Sequence, residues 1–454
     1  MSFLAESRWK ALAWIAGAGG ALSLGYLLAR PEVQSFIENA GVNIPTDDVV
    51  RDYASGLGWA CALLLFVLTW PVSWVHKKML TAAWLVKCFV ALVVMLPYER
   101  QYWGLDCWTY FQRSHQGLVE LSPRMISSGA DLVIWLGALH LKIGPDSYHA
   151  MKLSFAMVGL VAVYLFYRAA EELLGYISPL TFWALLLYPS VLFWSTILGK
   201  DPLILAAIAL YVWGVVNVAA LGRNAYLAVV FVGIVAASAV RIWMGPILVL
   251  PCLLILGMRI KSLLWRLCAV VLTGIALAVL APASADRLQL DKAADLLEAT
   301  RTITAGWDRA NSSFGLDVEL QSTWDLLLFT PRTVFIAFFR PLPGDIPNTF
   351  GLLAGFENLG LLLLSAWALL RVRPRHFRSH IFLWALCLLA TWGIAYSVIA
   401  YRDLGAAVRY KLQIIPILLG VIGYLCRQPL HVPKALKAIE STNGLRTHAG
   451  LKLS

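Results

Sequence analysis

Apolar residues in this chain fall into long uninterrupted runs separated by short polar punctuation. They do not alternate with polar positions, and the stripes do not narrow to one face of a soluble helix. The runs recur from end to end at roughly 15–22 residues, close to the ~20 needed for a helix to cross a bilayer. They predict spans at about 9–29, 56–75, 80–97, 150–168, 178–196, 202–221, 225–240, 243–258, 264–282, 349–370, 380–400 and 412–426. The fifth is the least regular, because Pro189 interrupts it. Residues 131–143 (DLVIWLGALHLKI) are too short to span and read as an interfacial or re-entrant helix. The expected fold is an all-α polytopic transmembrane bundle of about 12 spans, with amphipathic helices in long outer loops.

Composition agrees with the pattern. The 454 residues are 60% hydrophobic and 14% charged, with a mean hydropathy of +0.72, which excludes an ordinary soluble domain. The 19 Trp and 16 Tyr suit aromatic belts at two interfaces. A net charge of +11 invites a nucleic-acid reading, but membrane topology accounts for it better. With the N-terminus in the cytoplasm, the inner segments carry roughly 18 basic and roughly 4 acidic residues, as the positive-inside rule requires. Arg8/Lys10, Lys77/Lys78, Arg168, Arg223, Arg259/Lys261/Arg266 and Arg371/Arg373/Arg375/Arg378 then face inward. The first run reads as a retained span, since no small-x-small cleavage site precedes Arg30-Pro31. The chain therefore reads as one membrane domain over 1–426 and a basic cytoplasmic tail over 427–454, seated in a bacterial inner membrane. Three outer segments are long, 30–55, 98–149 and 283–348, which makes the outer face the working one. The amphipathic stretch LDKAADLLEATRTI lies in the last of them.

Soluble-enzyme motifs are missing. There is no GxxxxGK[ST], no GxGxxG after a strand, no HExxH and no GxSxG. The seven cysteines show no CxxC and no zinc spacing, and six of them lie in or at the ends of apolar spans. No cofactor is firmly implied. A divalent metal is left open, with no ligand cluster evident.

Candidate chemistry lies instead at the outer ends of the spans. Asp106 stands in an aromatic loop (Tyr102-Trp103-Gly104-Leu105-Asp106-Cys107-Trp108), with Glu99 seven residues before it. A carboxylate in such a setting can act as a general base. Lys200 and Asp201 form a tight turn before Pro202. Arg241, Arg340, Arg402, Arg409, Tyr410 and Lys411 also sit at span ends, as does Asp403. Converging arginines offer planar forks that match phosphate oxygens. Each residue alone has a plainer reading as an interfacial anchor or a capping ion pair. Lys87 falls mid-span and Glu357 near the start of the tenth span, each costly unless paired or hydrated. They are candidates to pair with each other, or Glu357 to face the outer cavity.

The loop acid, the Pro189-Ser190-x-x-Phe193-Trp194-Ser195 stretch leading to Lys200-Asp201, and the late Arg409-Tyr410-Lys411-x-x-x-x-Pro416 together resemble the GT-C superfamily of membrane glycosyltransferases. Phe339-Arg340-Pro341-Leu342-Pro343 with Gly355-Phe356-Glu357-Asn358-Leu359 resembles membrane proteins of bacterial exopolysaccharide clusters. The resemblance covers roughly residues 80–425. It implies transfer of a sugar from a polyprenyl-phosphate-type carrier to a glycan or lipid-linked acceptor on the outer face. Other polysaccharide-assembly proteins are possible partners, and nucleic acid is not one. It assigns Asp106, with Glu99 in reserve, as the base that deprotonates the acceptor hydroxyl. Lys200, Arg340, Arg409 and Lys411 become phosphate-neutralising cations. A repeat-unit polymerase, leaning on Arg301, Arg309, Arg332 and Arg340, is the nearest alternative. A transporter or lipid flippase, favoured by Lys87, is a second.

Overall fold

A computed structural model describes residues 30–102, 104–122, 128–175, 178–259, 323–400 and 403–426, with a few isolated positions besides. The runs predicted at 9–29 and 264–282 lie outside the described residues. So do Arg402, Arg301, Arg309, the amphipathic stretch after residue 283, and the 427–454 tail.

The described residues form helices and no strand. In chain order these are α1 (Pro31–Ala40), α2 (Val49–Thr69), α3 (Trp74–Phe89) and, after a π-helical turn over Val90–Val94, α4 (Met95–Gln101). A layer of shorter helices follows: α5 (Asp106–Ser114), α6 (Leu118–Leu121) and α7 (Gly129–Ile143). Then come α8 (Tyr148–Leu174), α9 (Pro179–Leu186), α10 (Pro189–Trp194), α11 (Lys200–Leu221), α12 (Leu227–Val240) and α13 (Met244–Arg259). The last are α14 (Thr323–Phe339), α15 (Thr349–Leu369), α16 (His380–Ala400), α17 (Leu404–Tyr410) and α18 (Ile415–Cys426).

Local chemistry sets these boundaries. Asp48, Ser128, Ser147, Asn348 and Asp403 each accept a hydrogen bond from a first-turn amide, and so start α2, α7, α8, α15 and α17. Gly222, left-handed at φ 67°, closes α11.

Six described helices are long and apolar enough to cross a bilayer: Val49–Thr69, Trp74–Gln101, Tyr148–Leu174, Lys200–Leu221, Thr349–Leu369 and His380–Ser397. Leu404–Gln413 and Ile415–Cys426 would make a seventh, broken by a 63° bend. Asn224–Val240, Met244–Ile255 and Leu328–Phe339 are apolar but shorter. These are the helices of a membrane protein. The predicted fifth span is not one helix. Pro189 lacks an amide hydrogen and holds Tyr188 extended, so 178–196 becomes α9 and α10, too short singly to span.

Helix α8 is the axis of the bundle, packed against α2, α3 and α11, and α11 in turn carries α12. Close approach depends on missing side chains. A Cβ on Gly159 of α8 would lie 1.9 Å from the Ser195 carbonyl oxygen, so the turn after α10 rests on bare backbone. Helix α7 is where the short 131–143 run was expected, and it buries Val133, Ile134 and Ala138 among α5 and α8.

Candidate functional site

The helix connectivity brings the starts of α2, α8, α11 and α15 to the same end of the bundle as the finish of α4, α12 and α14. Most of the sequence-predicted charges gather there, and they sort into three groups.

The first group centres on Asp201, in the first turn of α11 and only 1% exposed. Arg409, from α17, donates from Nε to Asp201 Oδ2 at 2.5 Å. Arg241, from the α12–α13 turn, approaches Asp201 Oδ1 with NH2 at 3.4 Å. Its guanidinium lies 4.1 Å from the centre of the Tyr410 ring, and its buried Nε has no hydrogen-bond partner among the described residues. Arg409 also reaches outward, with NH1 3.6 Å from Asp106 Oδ2 and its guanidinium 5.7 Å from the Trp194 ring. Asp106 is the first residue of α5, and its side chain is 65% exposed. Lys200 is half-buried beside these groups, and no described residue pairs with it. Three cations thus face two carboxylates, so the group has an excess positive charge. Of its carboxylates, Asp201 is spent on its neighbours and Asp106 is open.

The second group surrounds Lys411, which is 1% exposed. Its ammonium donates to the Arg340 carbonyl at 2.8 Å and to Asn358 Oδ1 at 2.5 Å, while Asn358 donates to the Pro341 carbonyl at 2.8 Å. Arg340 itself grips Asp345 through two 2.7 Å bonds. This fork holds the Asp345 carboxyl below its usual range. Glu357 accepts from the Ser190 hydroxyl at 2.8 Å and the Ser190 amide at 3.3 Å.

The third group lies beneath α5. Glu99, 2% exposed, accepts from Lys152 at 2.9 and 3.0 Å and from the Tyr148 hydroxyl at 2.7 Å. The same hydroxyl is 3.2 Å from the sulfur of Cys107, the residue after Asp106. Burial, with Glu99 next to it, pushes the Cys107 thiol up to about 12, so it stays protonated. Asp52, at the head of α2, binds the ring of His149 and accepts the Tyr148 amide at 2.7 Å. Glu99 therefore sits in a closed ion pair, chemically unlike the open Asp106 seven residues on.

Lys87 and Glu357 do not pair. Lys87 donates to Ser195 O, Ser195 Oγ and Thr196 Oγ1 at 3.1, 2.6 and 3.1 Å. An ammonium has three hydrogens, so all of them are satisfied without a carboxylate. Its role here is to hold the turn that leads into Lys200 and Asp201.

Asp345, Asn358, Asp52, His149 and Lys152 are partners that reading the sequence missed. The available signal was Lys152 inside an apolar run, since a buried cation demands acceptor groups nearby, a carboxylate among the candidates. Among the described residues, no group of three His, Cys, Asp or Glu side chains is arranged to hold a metal ion. No protein-family model, curated protein or solved structure matches the chain.

Proposed function

We propose that the chain is an integral-membrane glycosyltransferase of the GT-C kind. It would move a sugar from a polyprenyl-phosphate-type carrier to a glycan or lipid-linked acceptor on the outer face of a bacterial inner membrane. The observation that carries this reading is the Asp106–Arg409–Asp201 line. An exposed carboxylate stands at the bundle end, beside a cation whose other face is fixed by a buried aspartate. In the reaction, Asp106 accepts the proton of the acceptor hydroxyl as its oxygen attacks the anomeric carbon. The bond from that carbon to the carrier phosphate breaks, and the phosphate leaves as an anion. Cations aimed at the leaving oxygens stabilise the charge as it develops.

Four cations were assigned to that task from the sequence, and their settings now rank them. Arg340 is saturated by Asp345, and Lys411 is buried on backbone and amide oxygens. Lys200, which no described residue pairs with, and the outward NH1 of Arg409 are the donors left to meet a phosphate. The twelve-span topology, with both termini cytoplasmic, belongs to the same proposal.

The test is the surface glycan of a deletion strain complemented with wild type or with Asp106→Asn. Loss of one sugar with Asp106→Asn, at unchanged protein level, supports the reading. Collapse from long chains to a single repeat unit would instead mark a polymerase. Full rescue by Asp106→Asn would remove the loop acid as base and turn attention to transport.

A further inference from the structure

The opposite end of the bundle carries a basic turn that the proposed reaction does not use. Helix α15 meets the Lys411 group at Asn358, midway along its length, and continues for roughly 17 Å at 1.5 Å per residue to Leu369. Helix α16 returns from His380. The connection holds Arg371, Arg373, Arg375 and Arg378, all exposed. No aspartate or glutamate occurs between Glu357 and Asp403 in the chain. None of the four guanidinium groups pairs with a carboxylate among the described residues. Glu171 and Glu172, at the same end, are held by Arg168, Trp213 and Asn217.

The turn is built rather than loose. His376 is buried, and its Nδ1 accepts the Arg373 amide at 3.1 Å. Its ring packs at 5.6 Å from Tyr424 and 6.1 Å from Phe382. Pro374 begins a single 3-10 turn over Pro374–Arg378. With His376 pinned inward, the arginines on either side point away from the bundle. Around them stand apolar side chains that no described residue covers: Leu370 at 87%, Phe377 at 47% and Trp367 at 45% exposure. Arg371 lies 4.0 Å from the Trp367 ring.

This pairing of unneutralised arginines with exposed indole, phenyl and leucyl groups matches the boundary between headgroups and acyl chains. Guanidinium forks bind phosphodiester oxygens in two places at once, and the aromatic and aliphatic groups seat among the chains. We propose that the Arg371–Arg378 turn is a binding site for anionic phospholipid headgroups, at the opposite end of the bundle from the Asp106–Asp201 group. The proposal stands whether or not the chain transfers sugars.

The experiment is native mass spectrometry of the full chain in detergent, titrated separately with phosphatidylglycerol and phosphatidylcholine. Wild type should retain phosphatidylglycerol in preference. The variant with Arg371, Arg373, Arg375 and Arg378 all changed to Gln should lose that preference by more than roughly tenfold. Lys77→Gln with Lys78→Gln, at the same end, should keep it. Equal retention of both lipids by wild type overturns the site, as does an equal loss in the lysine variant. If the fourfold variant unfolds, Arg375→Gln with Arg378→Gln, both exposed and outside the spans, takes its place. Displacement of the lipid by millimolar inorganic phosphate would mean a bare phosphate site and would also overturn it.

Discussion

Asp201 and Arg409 are 208 positions apart in the chain and are joined by a 2.5 Å hydrogen bond from the guanidinium Nε to the carboxylate Oδ2. Arg241 leans on the other oxygen. One buried carboxylate thus ties the head of α11 to the α12–α13 turn and to α17. Removing it strands Arg241, which is 6% exposed, and leaves Arg409 only its longer contact with Asp106. Losing one partner of such a buried pair costs about 3–5 kcal/mol. Asp201→Asn should therefore lower both the melting temperature in detergent and the amount of protein in the membrane. Arg409→Ala should also destabilise, by less, because Arg241 still neutralises Asp201. Unchanged melting of Asp201→Asn would show that this cluster does not hold the helices together.

Lys200 gives the opposite expectation. It is half-buried and has no partner among the described residues, so truncating it removes charge without stranding any. Lys200→Gln should melt within about 0.5 kcal/mol of wild type. If the carrier phosphate binds here, the donor KM should rise roughly tenfold, as for loss of one charged hydrogen bond. Both can be read with a short-chain polyprenyl-phosphate sugar. An unchanged KM would take Lys200 out of the phosphate site.

Beneath the open acid, Glu99 and Lys152 make a test of a different kind. Both are almost fully buried, at 2% and 0% exposure. Lys152→Met leaves an uncompensated carboxylate and should cost about 3–5 kcal/mol. Adding Glu99→Gln should recover part of that, because no lone charge then remains. The coupling shows in the melting temperatures of the two singles and the double. Additive losses would mean that the two side chains do not act as a pair.

The gathering of charge at one end was legible in the sequence because ionised groups within apolar spans are rare and conspicuous. Asp106, Asp201, Arg241 and Arg409, spread over more than three hundred positions, do meet there. Who pairs with whom was not legible. Arg340 takes Asp345, five residues on in a proline-rich turn, and Glu357 takes a serine rather than Lys87. Those choices depend on how helices rotate, and hydropathy does not report rotation. Hydropathy also overstated continuity. The 178–196 run carries no charge and is mostly apolar, yet Pro189 divides it, and backbone geometry outweighs composition at that point.

Helix α8 can be probed through its bare surface. Gly159 is pressed on the Ser195 carbonyl, which also accepts from Lys87. Gly159→Ala would place a methyl 1.9 Å from that oxygen, against backbone that has no freedom to swing aside. Overpacking of this kind costs about 1–3 kcal/mol. The melting temperature should fall, whereas Gly420→Ala, with open space around it, should leave it unchanged or raise it. Equal melting of the two variants would contradict the close approach of α8 and the Ser195 turn.

His140 makes stability depend on pH. It lies in α7, outside the spans, with Nδ1 3.0 Å from Ser154 Oγ and its ring edge-on to Trp59 at 5.4 Å. Burial lowers its pKa from 6.5 to about 4. Above pH 6.5, neither the folded nor the unfolded chain protonates this ring appreciably. Between pH 6.5 and about 4 the unfolded chain binds the proton and the folded one does not, so stability falls with pH over that window. The loss approaches about 1.4 kcal/mol per pH unit within the window and stops below it. His140→Gln keeps a hydrogen-bonding group toward Ser154 but cannot titrate. Melting curves from pH 7 to pH 5 should therefore be steeper in pH for wild type than for the variant, and the difference between them isolates this ring from every carboxylate. Parallel curves would mean that His140 meets water in the folded protein, and that α7 does not seal against α8 and α2 as tightly as its contacts with Ser154 and Trp59 imply.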